Sequence, residues 1–490
     1  MIKWSQPSIL LHAFKAFYPF LPTEPFLPFK MSTVFKTLLS TYTSWPALKA
    51  YLSSDDGGRL RVYDDSATPD YPYALIRYVK GQSNFSIPHV GAFRSVVWDT
   101  LTNRPVSVTP FKSVDGESLP DNGVPTDYQL EQFVDGVMIG MFFDPINERW
   151  QIHTRSTLNA NCRFYSQTMT FRDMFYKVAE QTNFDFAALD KSHCYTYVLR
   201  HSENRIVCSV PVPSIVCVQD AAILSDCLVD DMTPVPNKLT LQNITTWEQL
   251  RECIRDWDIR FRHNVQGVVV KARNGQRWKI RTPSYNAVRH MRGNTPRRDF
   301  VWLSAWRNNT LYDYLTSFPE EKLQAESTVA QWKRATNEVF HIYTDVFKAR
   351  TLNKSDIPSK YRPLVYGLHS KFMDELKPAG KSVDWKTTLQ YMNERDTAQM
   401  LFVINWEKRQ AAKQFGTPVI PIEPPSSTAP AEPEPTMATL PPYLAAVINH
   451  VLEEGEIPSV PSGPAVGGLP GTAPASPDSS PAPSEPAPRV

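Results

Sequence analysis

Short runs of β-branched and aromatic residues alternate with Gly, Pro, Asn and Asp from residue 31 to about residue 285. Runs this short and closely spaced predict antiparallel strands. The clearest of them are YALIRYV, SVVWD, VMIGMFF, RWQIHTR, TYVLR, IVCSV and GVVVKA. Two other segments, FRDMFYKVAEQT and TWEQLRECIRDW, carry apolar residues at helical spacing and predict helices. We therefore expect an α+β domain.

The pattern changes beyond about residue 300, where apolar residues recur at helical spacing and Pro and Gly become scarce. This predicts a helical domain. After Gly416 the chain is rich in Pro, Ala, Ser and Glu, a composition that buries too little apolar surface to offset the entropy of ordering. We expect four parts, namely an N-terminal extension (1–30), an α+β domain (31–299), a helical domain (300–415) and a disordered tail (416–490).

One segment of the tail, 442–454, has a helical pattern. Pro442 suits the first turn of a helix and Gly455 suits its end. Leu444 and Ile448 lie on one side of this helix. Because a helix of this length is only marginally stable alone in water, we expect it to form when it docks on a protein partner.

Composition narrows the class of protein. The apolar share of 42% and the charged share of 21% fit a globular body. No uninterrupted apolar run reaches the ~18 residues that span a bilayer. Lys15 and Pro19 interrupt the N-terminal apolar stretch, and no signal cleavage site follows it. The six cysteines show no zinc spacing, which favours reduced thiols. We expect a cytoplasmic, non-secreted protein, with Met1 and Met31 both open as its start and its oligomeric state undetermined.

A net charge of only +2 means that any affinity for nucleic acid must come from local clustering of basic residues. Residues 271–298 contain no acidic residue and interleave Trp278, Tyr285 and His290, a pattern typical of surfaces that contact phosphates and stack on bases. A solvated basic face has the same composition. The candidate nucleic-acid-binding residues are Lys271, Arg273, Arg277, Arg289, Arg292, Arg297 and Arg298.

Six further segments occur in an order typical of one family, together with Asp135 and Gly136 in LEQFVDGVMIGMFF. These segments are FRSVVWD (93–99), RPVSVTPFKS (104–113), IHTRST (152–157), YVLRHSENRIV (197–207), QGVVVK (266–271) and RWKIRTPSY (277–285). Over about residues 50–290 the chain resembles the phage-type ATP-dependent RNA ligases, of which it would be a divergent member. The resemblance implies the nucleotidyltransferase fold, an α+β fold whose antiparallel sheets line a nucleotide cleft.

In that family a lysine amine attacks the α-phosphate of ATP, the AMP passes to an RNA 5′-phosphate, and a 3′-hydroxyl then displaces it. The resemblance implies ATP and Mg²⁺ as cofactors of an active member, and RNA or nucleotide as ligand. Basic residues neutralise the phosphates, and acidic residues help to hold the metal. The resemblance implies nucleotide contacts for Arg94, Asp135, Gly136, Arg155, Asn204, Arg205, Gln266, Lys279 and Arg281.

At three positions where the family has its nucleophile or its acidic residues, this chain has a different type of residue. Phe133 stands at the nucleophilic lysine, and its ring cannot form a phosphoramidate. Val198 and Gln266 stand at two glutamates, and an amide binds Mg²⁺ poorly compared with a carboxylate. We therefore assign no metal ligand. Lys112, in KSVDG, is an alternative nucleophile, but one extra residue before Asp115 turns an extended side chain to the opposite face.

Three functions remain open. The first is an RNA ligase-like protein that binds nucleotide or RNA with lost or impaired self-adenylation. The second is an active ATP-dependent RNA ligase that joins 5′-phosphate and 3′-hydroxyl ends with an unorthodox nucleophile. The third is a structural or scaffolding protein, as in a large DNA virus. Self-adenylation separates the first two, and RNA binding separates the first from the third.

Overall fold

Three sheets and twelve α-helices make up the described part of the computed structural model, residues 33–116, 119, 124–230, 241, 243–272 and 275–414. These residues belong to one compact unit. The extension 1–30, Arg273 and the tail from residue 416, with its segment 442–454, lie outside the described residues, so the expectations for them stay predictions.

The strands are short, as the alternation predicts. They are β1 Arg61–Tyr63, β2 Tyr73–Arg77, β3 Val96–Asp99, β4 Arg104–Val108, β5 Val114–Asp115, β6 Gln129–Gln132, β7 Val137–Asp144, β8 Arg149–His153, β9 His193–Arg200, β10 Ser214–Ile223, β11 Val229–Asp230, β12 Gly267–Lys271 and β13 Arg277–Arg281. The first sheet has the order β1-β2-β3-β4, the second β11-β10-β9-β7-β8 and the third β5-β13-β12-β6. Every pair is antiparallel except β5 with β13, so the predicted α+β class with antiparallel sheets is confirmed.

The helices fall among the strands and, beyond β13, follow one another without further described strands. They are α1 Val34–Thr41, α2 Trp45–Ser53, α3 Phe171–Gln181, α4 Trp247–Phe261, α5 Pro283–Arg292, α6 Arg298–Arg307, α7 Leu311–Ser317, α8 Lys322–Tyr343, α9 Arg362–Lys371, α10 Trp385–Asn393, α11 Thr397–Ile404 and α12 Trp406–Gln414. In the described part of the chain, no helix is both long and apolar enough to cross a membrane.

Helices α3 and α4 confirm the two helices predicted among the strands, and both begin at a capping box. The Thr170 side chain accepts from the backbone N–H of Asp173, whose carboxylate accepts from the N–H of Thr170. Thr246 and Gln249 repeat the arrangement at the start of α4. Each box satisfies backbone donors that the first turn leaves without an intrahelical partner.

Two predictions about local structure are wrong. Residues 34–53, read as part of the strand-rich region, form α1 and α2, whose Phe35, Leu38 and Leu48 are buried against the first sheet. The segment IVCSV (206–210) is a loop. Its Val207 and Cys208 N–H groups donate to a side chain instead of to a neighbouring strand.

Separate apolar cores hold the layers together. Helix α3 packs on one face of the second sheet, and α4 packs on one face of the third. A further core joins α5, α6 and α7 to the loop at Val207 and Cys208. The predicted domain boundary at residue 299 therefore falls inside a shared core, and the division into 31–299 and 300–415 stays a prediction. The helices from α6 to α11 enclose the last core, around Trp332.

Candidate functional site

The third sheet has one apolar and one polar face. Val268 and Val270 of β12 pack against Leu250 and Ile254 of α4. Because side chains alternate along a strand, the intervening residues lie on the other face. There they form three cross-strand rows, which are Phe133–Gly267–Arg281, Glu131–Val269–Lys279 and Gln129–Lys271–Arg277. Each of these residues is buried or half-buried. A covered polar face of this kind is the wall of a cleft.

Phe133, at the predicted nucleophile position, lies at the end of this face. Its N–H donates to the carbonyl of Gly267 at 2.9 Å, and the guanidinium carbon of Arg281 is 5.4 Å from its ring centroid. At Gly136 a Cβ atom would lie 2.7 Å from the Val198 side chain, so only glycine permits the approach. The structure thus brings four motif segments together. They are the segment around Phe133 and Gly136, the segment of Val198, the segment of Gln266 and Gly267, and the segment of Arg281.

A cavity of ≈ 240 Å³ lies against the Phe133 ring. It is lined by segments 132–135, 216–218 and 264–266 together with Arg200 and Cys208. Sites for small molecules and cofactors commonly have about 300–1,000 Å³. The cavity therefore has room for part of a nucleotide.

Asp135 is held by hydrogen bonds within the protein, and its assignment as a nucleotide contact stays a prediction. Its Oδ2 accepts from the N–H groups of Val207 at 3.0 Å and Cys208 at 2.8 Å, and its Oδ1 accepts from the Tyr285 hydroxyl at 2.8 Å. Both oxygens are therefore engaged. Asn204 is also buried, with its Oδ1 accepting from the Tyr165 N–H, and its nucleotide contact likewise stays a prediction.

Arg205, Arg292 and Arg298 form ion pairs within the protein, and their phosphate contacts stay predictions. Arg205 contacts both carboxylate oxygens of Glu320 at 2.8 Å. Arg292, which is 2% exposed, lies 2.6 Å from Glu321, and Arg298 lies 3.4 Å from the same carboxylate. These ion pairs occupy the guanidinium groups and join α5 and the 201–208 loop to the segment before α8.

Two of the three residues predicted to stack on bases are buried. Trp278 is 2% exposed and belongs to the core under α4, and Tyr285 is 1% exposed. Neither ring can contact a base, because ring faces must be accessible to stack. His290, Arg289 and Arg297 are exposed on or just beyond α5 and remain candidates for nucleic-acid contact.

Arg94, in the loop before β3, lies near two other arginines, Arg155 in the loop after β8 and Arg277 on β13. The charges of Arg155 and Arg277 both act on Arg94. Burial lowers the pKa of Arg94 to about 10, Tyr78 opposes the shift, and the two neighbouring guanidinium groups add to it. All three stay protonated at neutral pH. Among the described residues neither Arg94 nor Arg155 forms an ion pair with a carboxylate, so this part of the cleft is strongly attractive to anions.

Lys279 and Arg281 complete the basic wall on β13. Desolvation by the surrounding protein, followed by the charge of Arg281, lowers the pKa of Lys279, while Asp115 opposes the shift. The Lys279 amine is 3.2 Å from the Asp115 carboxylate. Lys271 lies on the same face, at the far end of β12. These positions agree with the phosphate-neutralising role implied for Lys279 and Arg281.

Lys112 lies at the mouth of the cleft. Its backbone N–H donates to the Gly91 carbonyl, and its amine is 4.7 Å from the centroid of the exposed Phe85 ring. This contact uses the amine as a cation, whereas attack on a phosphate requires the neutral form.

The residues at the motif positions fit phosphate groups but not Mg²⁺. Arg94, Arg155, Lys279 and Arg281 offer cations to the phosphates of a bound nucleotide. Both Asp135 oxygens are already engaged, and the Gln266 amide is a weak ligand for Mg²⁺. Over the described ranges, no group of three or more His, Cys, Asp or Glu side chains is placed to hold a metal ion.

Glu131 is a cleft residue that the motif comparison overlooked. It lies two residues before Phe133 on β6, 3% exposed, and it faces the row that contains Lys279. The period of two along a strand was the available signal, because it places Glu131 and Phe133 on one face. A buried carboxylate among cations lowers the net charge of the cleft wall.

His153, behind the cleft on β8, supports the sheets as a neutral side chain. Its ring nitrogens contact the Ser95 hydroxyl at 3.1 Å and the Ser107 hydroxyl at 2.9 Å. Burial lowers its pKa to about 4, partly opposed by a hydrogen bond to the Thr154 carbonyl. Its hydrogen bonds identify it as a structural histidine.

Acidification should therefore destabilise the protein through His153. The unfolded chain takes up the proton near pH 6.5 and the folded chain only near pH 4, so stability is present above about pH 6.5 and is lost towards pH 4. We expect a loss of about 3 kcal/mol from this group. Urea unfolding of wild type and His153→Asn between pH 7 and pH 4 measures it. Equal pH dependence of the two chains would show that His153 does not contribute.

No protein-family model matches the chain, and no curated protein matches it by sequence. Solved structures do. Archaeal ATP-dependent RNA ligase in its form 2 is 10% identical, with a TM-score of 0.33, covering 79% of this chain and 84% of the ligase. Form 1 is 12% identical, with a TM-score of 0.32, covering 77% and 99%. An ATP-dependent DNA ligase from Aquifex aeolicus is 12% identical, with a TM-score of 0.28, covering 76% and 80%.

Proposed function

We propose that this chain is an RNA ligase-like nucleotidyltransferase-fold protein that binds RNA or nucleotide phosphates in its cleft without forming a lysyl-adenylate. The observation that supports this most is the composition of the site where the motif positions meet. The nucleophile position holds the ring of Phe133, packed under Arg281, while the cations along the cleft wall remain. Binding groups are retained at positions where the reacting group is lost.

The chemistry explains why these losses matter. Adenylation requires an amine that attacks the α-phosphate and expels pyrophosphate, and neither an aromatic ring nor the buried Val198 can supply a nucleophile or a charge. Binding requires only cations and hydrogen-bond donors facing the phosphates. Lys279 and Arg281 from β13, with Arg94 and Arg155 across the cleft, provide them. ATP bound here would supply a triphosphate that these four residues orient.

One observation favours the second function, self-adenylation through another lysine. Lys279 lies on the same sheet face as Phe133, and its pKa is lowered by desolvation and by Arg281. A lowered pKa is what an attacking amine needs. The Asp115 carboxylate at 3.2 Å opposes this role, since it stabilises the ammonium. Lys279 is thus a better alternative nucleophile than Lys112, and any search for an adduct must include both.

Binding should depend steeply on salt and on the β13 cations. For a 5′-phosphorylated single-stranded RNA, replacing Lys279 and Arg281 with Ala should weaken binding about tenfold or more. It should also reduce the slope of log affinity against log salt by about 1.4, because two counterion-releasing contacts are lost. Fluorescence anisotropy between roughly 50 and 200 mM salt measures both quantities.

The matched control removes the same charge elsewhere. Lys322 and Lys333 are exposed on α8, and their double replacement with Ala should leave affinity and slope nearly unchanged. If the control weakens binding as much as the β13 variant, binding is diffuse attraction to charge. If wild type binds no RNA and no nucleotide at low salt, the proposed function is wrong.

A further inference from the structure

A series of ring and cation contacts links two motif residues, Lys112 and Arg155, through two aromatic residues outside the motifs, Phe85 and Tyr78. The Lys112 amine is 4.7 Å from the centroid of the Phe85 ring. Phe85 meets Tyr78 edge to face, with centroids 4.9 Å apart. The guanidinium carbon of Arg155 is 4.6 Å from the Tyr78 ring, and its Nη2 donates to the Tyr78 carbonyl at 2.9 Å.

Beyond the Arg155–Tyr78 contact, further cations lie nearby. Arg94 lies within the electrostatic influence of both Tyr78 and Arg155, and of Arg277 on β13. Cations therefore occur at each step, from Lys112 outside to Arg277 inside. A single strand can bind along such a series because its successive phosphates can each contact a different cation.

The outer end of the series has the properties of a stacking platform. Phe85 is 38% exposed, although a large apolar ring is more stable when covered. Its contact with Tyr78 holds the ring in place. An exposed, held aromatic ring beside a cation is the arrangement with which proteins stack an unpaired base and contact its phosphate.

We propose that Phe85 and Lys112 form a docking platform for a single-stranded nucleic acid whose phosphates continue past Arg155 to Arg94. This rests on the proposed function, because the same cleft must attract phosphates. It also narrows the ligand class. A duplex keeps its bases paired and cannot present a base face to the ring.

The test compares two 5′-phosphorylated oligonucleotides of equal length, one with bases and one abasic, by fluorescence anisotropy at low salt. Phe85→Ala should weaken binding of the strand with bases about tenfold and leave the abasic strand unchanged. Lys112→Ala should weaken both. Phe85→Trp should retain binding, whereas Phe85→Leu, which keeps apolar packing without a π face, should behave like Ala. Tyr312→Ala, at an exposed aromatic residue on α7, is the control and should change neither.

The outcomes test the proposed platform separately from the proposed phosphate binding in the cleft. If wild type binds the strand with bases and Phe85→Ala binds it equally well, the platform is wrong and the proposed function stands. Equal binding of a duplex, or of the abasic strand, overturns the platform in the same way. If no strand and no nucleotide binds to wild type, both proposals are wrong. We expect weaker binding of the strand with bases by Phe85→Ala, Phe85→Leu and Lys112→Ala, and unchanged binding by Phe85→Trp and Tyr312→Ala.

Discussion

Replacing Glu321 with alanine is expected to lower the free energy of unfolding by about 3–5 kcal/mol, the loss typical of breaking a buried ion pair. Glu321 accepts from Arg292 at 2.6 Å, from the Trp302 indole at 2.8 Å and from the Tyr314 hydroxyl at 2.7 Å. Arg292 is 2% exposed, so its charge would be left in the protein interior without a carboxylate. When Glu321 is removed, the cost of burying the charged Arg292 is no longer offset by an ion pair with a carboxylate.

Urea unfolding measures this loss, and Glu320→Ala is the matched control. Glu320 pairs with Arg205, but its side chain is 47% exposed, and Arg205 also donates to the carbonyls of Val207 and Ser317. Its loss should cost about 1 kcal/mol or less. If the two variants lose the same stability, the network around Arg292 is not the main tie between α5 and the segment before α8.

Restoring a lysine at the nucleophile position is expected not to restore adenylation. In Phe133→Lys the new amine would face Arg281, as the ring does now, and the positive neighbour would favour the neutral, attacking form. Val198 and Gln266 would still hold no metal ion, so the contribution of a metal to expelling pyrophosphate would be missing even with the cations in place. Relative to an authentic ligase, we expect the loss of adduct to be complete.

The measurement is intact-mass spectrometry after incubation with ATP and either Mg²⁺ or Mn²⁺. Phe133→Leu serves as the matched control, because it changes the same position without adding an amine. Circular dichroism of the variants checks that both fold. An AMP adduct on Phe133→Lys but not on Phe133→Leu would show that the remaining residues of the cleft suffice for catalysis, and that the loss is confined to one position.

Patterns of neighbouring residues predicted those strands and helices that are determined mainly by interactions between residues close in sequence. Short β-branched and aromatic runs predicted β7, β9 and β12, and the helices predicted from apolar spacing begin at capping boxes at Thr170 and Thr246. The loop at IVCSV could not be foreseen, because its backbone donors are taken by Asp135, about seventy residues away in the chain. A β-rich composition predicts a strand only when a neighbouring strand is available to pair with it.

The sequence indicated which segments form the candidate site better than it indicated what each residue in them contacts. The segments of Phe133, Gln266 and Arg281, singled out by motif order, lie on or next to neighbouring strands of the third sheet. Whether an arginine faces a cleft or a carboxylate is decided by distant partners, as with Arg292 and Glu321. Charge clustering along the sequence therefore overstated the basic surface. Phe85 carried no local signal, since its exposure depends on the fold.

Self-adenylation of the wild-type chain tests the central claim most directly. The full chain is incubated with ATP labelled at the α-phosphate and with Mg²⁺ or Mn²⁺, beside an authentic ATP-dependent RNA ligase, and is analysed by denaturing gel and intact mass. The account predicts labelled ligase, no label on this chain and an unchanged mass. An acid-labile AMP adduct on any lysine, with Lys279 and Lys112 the first to examine, would contradict it.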